Sequence, residues 1–358
     1  MNAPLSVLNL LKKMVQYESL SLEEEAICSF MEQYAQSAGL PTFRQDNSVC
    51  FWIGEGPQRL LLNSHLDVVP ASNGHPYDPF TPTESAGLLY GRGTADAKAS
   101  GAAMTTALLQ LAAEGWQPQD GQVMVALTQC EETEYEHNGM RALRAVLPKP
   151  DAALVGEPTN LVPVVAQKGL LILRADACGR SAHAARAHLG DNAIEKAARD
   201  IARLQQLSFT RSDPWLGRPT LNVTMIEGGS ARNVIPDRCT FYLDIRSTPA
   251  YTHEEITAQV AKLVESDITV HSGRIIPVAT DISESIVRAC LKVIPGSTPS
   301  GSPTASDWIF LSDVPTVKIG PGASEQSHTP TEQVSIAELE DAVGVYKHVI
   351  RGYFAGAA

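Results

Sequence analysis

Apolar residues follow two rhythms along the chain, and each rhythm predicts a kind of element. After Ser21 and Glu24, which have the spacing of a capping box, Ile27, Phe30/Met31 and Tyr34 recur at helical spacing until Gly39 ends the run. Strand-like apolar runs follow in "SVCFWIG", "RLLLNSH", "QVMVALTQ", "AALVG" and, far downstream, "PTVKIG". A strong helix is predicted from about Ala97 to Ala113, "AKASGAAMTTALLQLAA". Strands alternating with helices predict an α/β fold with a largely parallel or mixed sheet covered on both faces.

The rhythm changes near Lys168. From "GLLILRADACG" to "DITVHSGRI" the order reads strand, helix, strand, strand, helix, strand, which is the ferredoxin-like α+β unit. Its first helix, about Asn192 to Leu207, carries Ile194, Ala197, Ile201 and Leu204 on one face. Its second is capped by Thr252 and Glu255 and shows Ile256, Val260 and Leu263. Between them "TLNVTMIEGG" and "RCTFYLDIRS" alternate like a half-buried hairpin. Because "PTVKIGPG" returns to the first rhythm, the expected organisation is a discontinuous domain of residues 1–167 and 275–358, with residues 168–274 inserted.

Length and charge narrow the possibilities. A chain of 358 residues predicts two domains. A net charge of −12 opposes binding to nucleic acid or an anionic membrane. Six scattered cysteines without a Cys-x-x-Cys pair read as free thiols in a reducing compartment. With no stretch near ~20 uncharged apolar residues, no membrane span is expected. The predicted location is the cytoplasm.

The segment "LLLNSHLDVVPAS" ends an apolar strand on His65 and Asp67, which a packed core does not need. Three other strand ends carry similar groups: Glu131-Glu132 after "QVMVALTQC", Glu157 within "GEPT", and His328 in "PGASEQSHTP" after "PTVKIG". Asp96, in "GRGTADAK", stands just before the long helix. Ligands of α/β sheets bind beyond the carboxyl ends of the strands. Two histidines and several carboxylates converging there would repel unless divalent cations compensated them. Nitrogen and oxygen donors without thiolate indicate zinc, cobalt or manganese, with one carboxylate bridging a metal pair. His65 then reads as a ligand and Asp67 as the partner that sets its tautomer. "GRGTAD" resembles a phosphate loop only superficially, since Asp96 occupies the third glycine position of a dinucleotide fingerprint. The remaining histidines outside the second domain's "SAHAAR" stretch read as structural.

Taken together, "SHLDVVP" at 64–70, "GRGTADAK" at 91–98, "EE" at 131–132, "GEPT" at 156–159 and "SHTP" at 327–330 resemble, in order and spacing, the M20 family of metallo-aminoacylases and peptidases. The resemblance covers essentially the full chain. It implies a zinc-aminopeptidase-like catalytic domain interrupted by a lid and dimerisation domain. It also implies two metal ions, zinc or cobalt: His65, Asp96 and Glu157 on one, and bridging Asp96, Glu132 and His328 on the other. Glu131 would be the general base. In the inserted domain, His183 of "GRSAHAAR" would stabilise the oxyanion across a homodimer interface; a surface histidine is its alternative reading. Asn233 and Arg246 would contact the substrate carboxylate, with a structural ion pair as the alternative for Arg246. One departure stands out: Ala97 follows Asp96 where Met, Gly or Asp is common.

Within the family the chain looks most like the deacylases of arginine biosynthesis. These act on a small N-acyl amino acid, N-acetylornithine or N-acetyl- or N-succinylcitrulline. Succinyl-diaminopimelate desuccinylase is the first alternative, and a dipeptidase or carboxypeptidase the second. Two readings from other classes, a catalytically dead binding protein and a dinucleotide-dependent oxidoreductase, would lack a ligand or need the missing glycine fingerprint.

Overall fold

A computed structural model describes residues 5–133, 135–294 and 296–356. The chain forms two compact units, one running through Val165 with Thr280–Ser300 and everything from Ser306 on, the other comprising Ala166–Ala279 and Gly301–Ala305.

The first unit is built on a mixed sheet. Its strands lie in the order Thr42–Gln45, Ser48–Ile53, Gly121–Thr128, Gln58–His65, Ala152–Val155, Thr316–Lys318 and Val164–Gln167. The middle four are mutually parallel, and the outer strands pair antiparallel. Four parallel strands therefore present their carboxyl ends along one edge, where ligand sites of such sheets form. The helix Lys98–Ala113 is buried nearly all round, as its Ala- and Gly-rich sequence allows. It packs against the strand Gln58–His65 and the helices Val7–Val15 and Ile336–Ala355. Small residues let it approach closely: a Cβ on Gly101 would already lie 3.1 Å from Leu127.

One sequence expectation fails here. The helix Glu25–Ser37 begins without any side-chain cap. Ser21 and Glu24, spaced as a capping box, are recruited by partners outside the helix: Ser21 Oγ donates to Asp67 Oδ2 at 2.7 Å, and Glu24 Oε1 accepts from Cys130 N at 3.0 Å. Tertiary partners outcompete the local cap.

The second unit is a four-stranded antiparallel sheet in the order Thr220–Gly228, Arg238–Ser247, Gly169–Cys178, Asp267–Ile275, with helices Ala193–Leu204 and His253–Leu263. Gly169–Cys178 alternates buried and half-buried positions, and Leu171, Leu173, Phe241, Leu243, Ile245, Ala197, Ile256 and Val260 share one core. Asn192 caps the first helix, and the Thr252–Glu255 capping box is present on the second. Two details differ from expectation. Ile194 is exposed, and the buried face of its helix instead includes Asp200, whose carboxylate accepts the amides of Glu265 and Ser266. The strand Thr220–Gly228 is exposed along its second half, with Met225 at 53% and Ile226 at 51% exposure. It is an edge strand, with one hydrogen-bonding side left unpaired among the described residues.

Candidate metal centre

The parallel strand ends bring the sequence-predicted groups of the first unit together. His65 ends Gln58–His65, Glu131 and Glu132 follow Gly121–Thr128, and Glu157 follows Ala152–Val155. Asp96 immediately precedes the helix Lys98–Ala113, across a cis Asp96–Ala97 peptide. His328 sits in the loop after Thr316–Lys318, at φ +65.

Two donor sets result, His65–Asp96–Glu157 and Asp96–Glu132–His328, each with its ligand atoms within 4.8 Å of one another. His65 Nε2 lies 3.2 Å from Asp96 Oδ1 and 3.9 Å from Glu157 Oε1. His328 Nε2 lies 3.0 Å from both Glu132 oxygens and 3.6 Å from Asp96 Oδ2. The two oxygens of Asp96 thus face different sets. Metal–ligand bonds of 2.0–2.1 Å in tetrahedral geometry put ligand atoms about 3.3 Å apart, so these spacings suit a pair of divalent cations. The donors are imidazole nitrogen and carboxylate oxygen, without thiolate, which suits zinc or a similar ion.

Electrostatics point the same way. Burial, reinforced by Asp96, pushes the Glu157 carboxyl up to about 8. Burial and then Glu157 drive Glu131 well above the usual carboxylate range, and burial raises Glu132. Asp96 is the exception: burial would raise it, but the hydrogen bond and charge of His65 hold it at about 2. Its hydrogen bond to Glu132 raises His328. Crowded acids that retain protons, facing histidines that gain them, are groups awaiting positive charge.

The supporting shell shows which atoms of Asp67 face His65. His65 Nδ1 meets the main-chain oxygen of Asp67 at 2.9 Å, closer than the carboxylate Oδ1 at 3.5 Å, so the backbone of Asp67 is the nearer group setting the tautomer. The Asp67 carboxylate mainly receives other donors: Ser21 Oγ, the Glu131 amide at 3.0 Å and the Glu132 amide at 3.1 Å. On the opposite side, buried Glu332 accepts the amides of Ala95 (3.0 Å) and Asp96 (3.1 Å) and pairs with buried Arg92. Gly320 gives Glu157 room, since a Cβ there would lie 2.6 Å from the Glu157 carbonyl oxygen. Sequence reasoning singles out neither Arg92, which stands within "GRGTADAK", nor Glu332, two residues beyond "SHTP".

His183, Asn233 and Arg246 belong to the second unit. The two-residue strand Ala182–His183 pairs with Val234–Ile235, and the Ala184 amide donates to the Asn233 carbonyl, which sets His183 and Asn233 side by side. His183 is exposed. The Arg246 guanidinium pairs with Asp244, two residues earlier on its own strand, at 2.9 Å.

Comparison with known proteins adds relatives. An acetylornithine deacetylase of Vibrio vulnificus (strain CMCP6) is 31% identical over 317 residues, 84% of this chain and 82% of its own. A succinyl-diaminopimelate desuccinylase of Dinoroseobacter shibae is 28% identical over 373 residues, 96% of this chain and 97% of its own. The crystal structure of aminopeptidase PepT from Bacillus cereus ATCC 10987 superposes with a TM-score of 0.78 over 97% of this chain and 98% of its own, at 23% identity, so the fold is shared. The profile of Peptidase family M20/M25/M40 matches residues 61–352, and the chain belongs to that family.

Proposed function

We propose that this M20 metal-dependent amidohydrolase removes the acyl group of an N-acyl amino acid, with N-acetyl-L-ornithine the first candidate and N-acetyl- or N-succinyl-L-citrulline next. The observation that carries the reading is the doubled donor set sharing Asp96, in a chain whose relatives include acetylornithine deacetylases. The desuccinylase relative, which spans nearly the whole chain, favours succinyl-diaminopimelate as the second reading.

His65, Asp96 and Glu157 would hold one divalent cation, and Asp96, Glu132 and His328 the other, zinc or cobalt. Bound there, the cations would polarise the amide carbonyl and acidify a water. Glu131 belongs to neither donor set, which leaves its carboxylate free as general base. It takes a proton from water as the oxygen attacks the acyl carbon. The C–N bond then breaks, and Glu131 returns the proton to the departing amine. His183, across a dimer interface, would face the oxyanion; Asn233 and Arg246 would read the substrate carboxylate. For Arg246 this requires sharing its guanidinium with Asp244.

A homodimer through the inserted domain is supported by Met225, Ile226 and Ile194, apolar and exposed on the edge strand and the first helix of the second unit. A cytoplasmic setting fits the six free cysteines. Among the described residues, no helix is long and apolar enough to cross a membrane.

The test is kcat/KM of the zinc- or cobalt-loaded enzyme on N-acetylornithine, N-acetylcitrulline, N-succinylcitrulline and N-succinyl-diaminopimelate. Preference for one of the first three supports the arginine-type reading. Activity on the last alone moves the protein to the second reading, and inactivity on all four rejects both.

A further inference from the structure

The turn that carries Glu131 is held by groups far away in sequence. Cys130 has φ +52, a left-handed conformation that a non-glycine residue keeps only when its surroundings enforce it. Its amide is gripped by a buried acid, and its carbonyl by an asparagine that a second buried acid holds. Glu24 Oε1 accepts the Cys130 amide at 3.0 Å, and also the Leu22 amide at 3.0 Å. The Cys130 carbonyl accepts from Asn138 Nδ2 at 3.3 Å, and the same Nδ2 donates to Asp307 Oδ1 at 2.6 Å. The other Asp307 oxygen accepts from Thr128 Oγ1 at 2.8 Å, at the end of the strand leading into the turn. Glu24 is fully buried and Asp307 is 2% exposed.

We propose that Glu24 and Asp307 are positioning residues that lock the Cys130 turn and thereby aim the Glu131 carboxylate. Neither lies in a donor set for metal. Two carboxylates buried beside an already acidic centre are costly, and a structural turn could be satisfied by neutral acceptors. Glu24 also leaves its helix uncapped to reach Cys130. The bonds fix the residue immediately before Glu131, while Asp67 fixes the amides of Glu131 and Glu132 themselves. Rotation of the turn would swing Glu131, which lies in no donor set, before it pulled Glu132 from His328 at 3.0 Å, and would leave His65, Asp96 and Glu157, on other elements, in place.

The inference rests on Glu131 as general base, and one mutant cycle tests the two separately. Glu24→Ala and Asp307→Ala, each with its metal content and KM measured, are expected to lower kcat on the order of 10²-fold, the usual consequence of a misplacement of about 1 Å, with two metals retained and KM unchanged. Glu24→Gln, which keeps an acceptor oxygen, should recover most of the loss. In a Glu131→Gln background the alanine substitutions should add nothing further, because the group they aim is gone. If Glu24→Ala does not fold, Glu24→Asp, which withdraws the acceptor by one methylene, carries the same comparison. Equal losses of kcat in both backgrounds, or loss of metal instead of kcat, would overturn the positioning role. Undiminished turnover of Glu131→Gln alone would instead overturn the general-base reading.

Discussion

Asp67 and Glu131 are joined through the backbone: the Asp67 carboxylate accepts the Glu131 amide at 3.0 Å, while the main-chain oxygen of the same Asp67 faces His65 Nδ1 at 2.9 Å. One residue therefore ties a metal-ligand candidate to the general-base candidate. Asp67→Asn should separate the two effects. Whichever way its amide turns, the nitrogen would meet the N–H of Glu131 or Glu132, donor against donor, displacing the turn while the backbone contact to His65 remains. We expect kcat to fall at least ~10²-fold and metal affinity to weaken by ~10–100-fold or less, read by steady-state kinetics and metal titration. Wild-type kcat would refute the link.

Metal removal should make stability depend on pH in a defined direction. Without cations, burial holds the Glu157 carboxyl at about 8, and His65 and His328 are also raised. All three bind protons more tightly folded than unfolded. Their contribution is complete at low pH and is lost as pH rises through the folded values, for Glu157 between about 4.5 and about 8. The melting temperature of chelated protein should fall between pH 5.5 and 8, and the gap to the metal-loaded protein should widen. A chelated protein whose melting temperature rises over that range would contradict the electrostatics of the site.

The Arg92–Glu332 pair is buried on both sides and holds the amides of Ala95 and Asp96. Arg92→Ala leaves an uncompensated buried carboxylate and should cost about 3–5 kcal/mol of stability. Urea unfolding of the metal-loaded protein measures this, and a change below ~1 kcal/mol would show that the pair is not holding the segment.

The exposed edge strand Thr220–Gly228 bears on assembly. Placing acids there, in Met225→Glu with Ile226→Glu, should convert a dimer to a monomer by light scattering and remove most activity if His183 acts across the interface. A wild-type protein that is monomeric at micromolar concentration would end the dimer reading.

Much of the site could be read along the chain because ligand chemistry is narrow. Only a few side chains bind divalent cations, and His65, Asp96, Glu132 and Glu157 each stand at the end of an apolar run or the start of a helix, where a core has no use for them, with His328 in the loop that follows a further strand. The α+β order of the inserted unit was equally readable, since strand and helix periods differ and its second helix carries a true capping box. The Ser21–Glu24 pair shows the limit. It has the same local spacing, yet tertiary acceptors and donors at Asp67 and Cys130 take both side chains.

Sequence alone determined which residues could bind metal and on which kinds of element they sit, because those properties are local: periodicity, charge and side-chain chemistry. Only the tertiary structure decided what holds them. Backbone amides and carbonyls carry no side-chain signature, so nothing in the chain's letters announced that Asp67 would grip Glu131 and Glu132, Glu332 would grip Asp96, or Glu24 and Asn138 would close on Cys130. Those partners are set by which strand ends the sheet order brings together, and a buried carboxylate bonds to whichever donors the fold leaves unpaired.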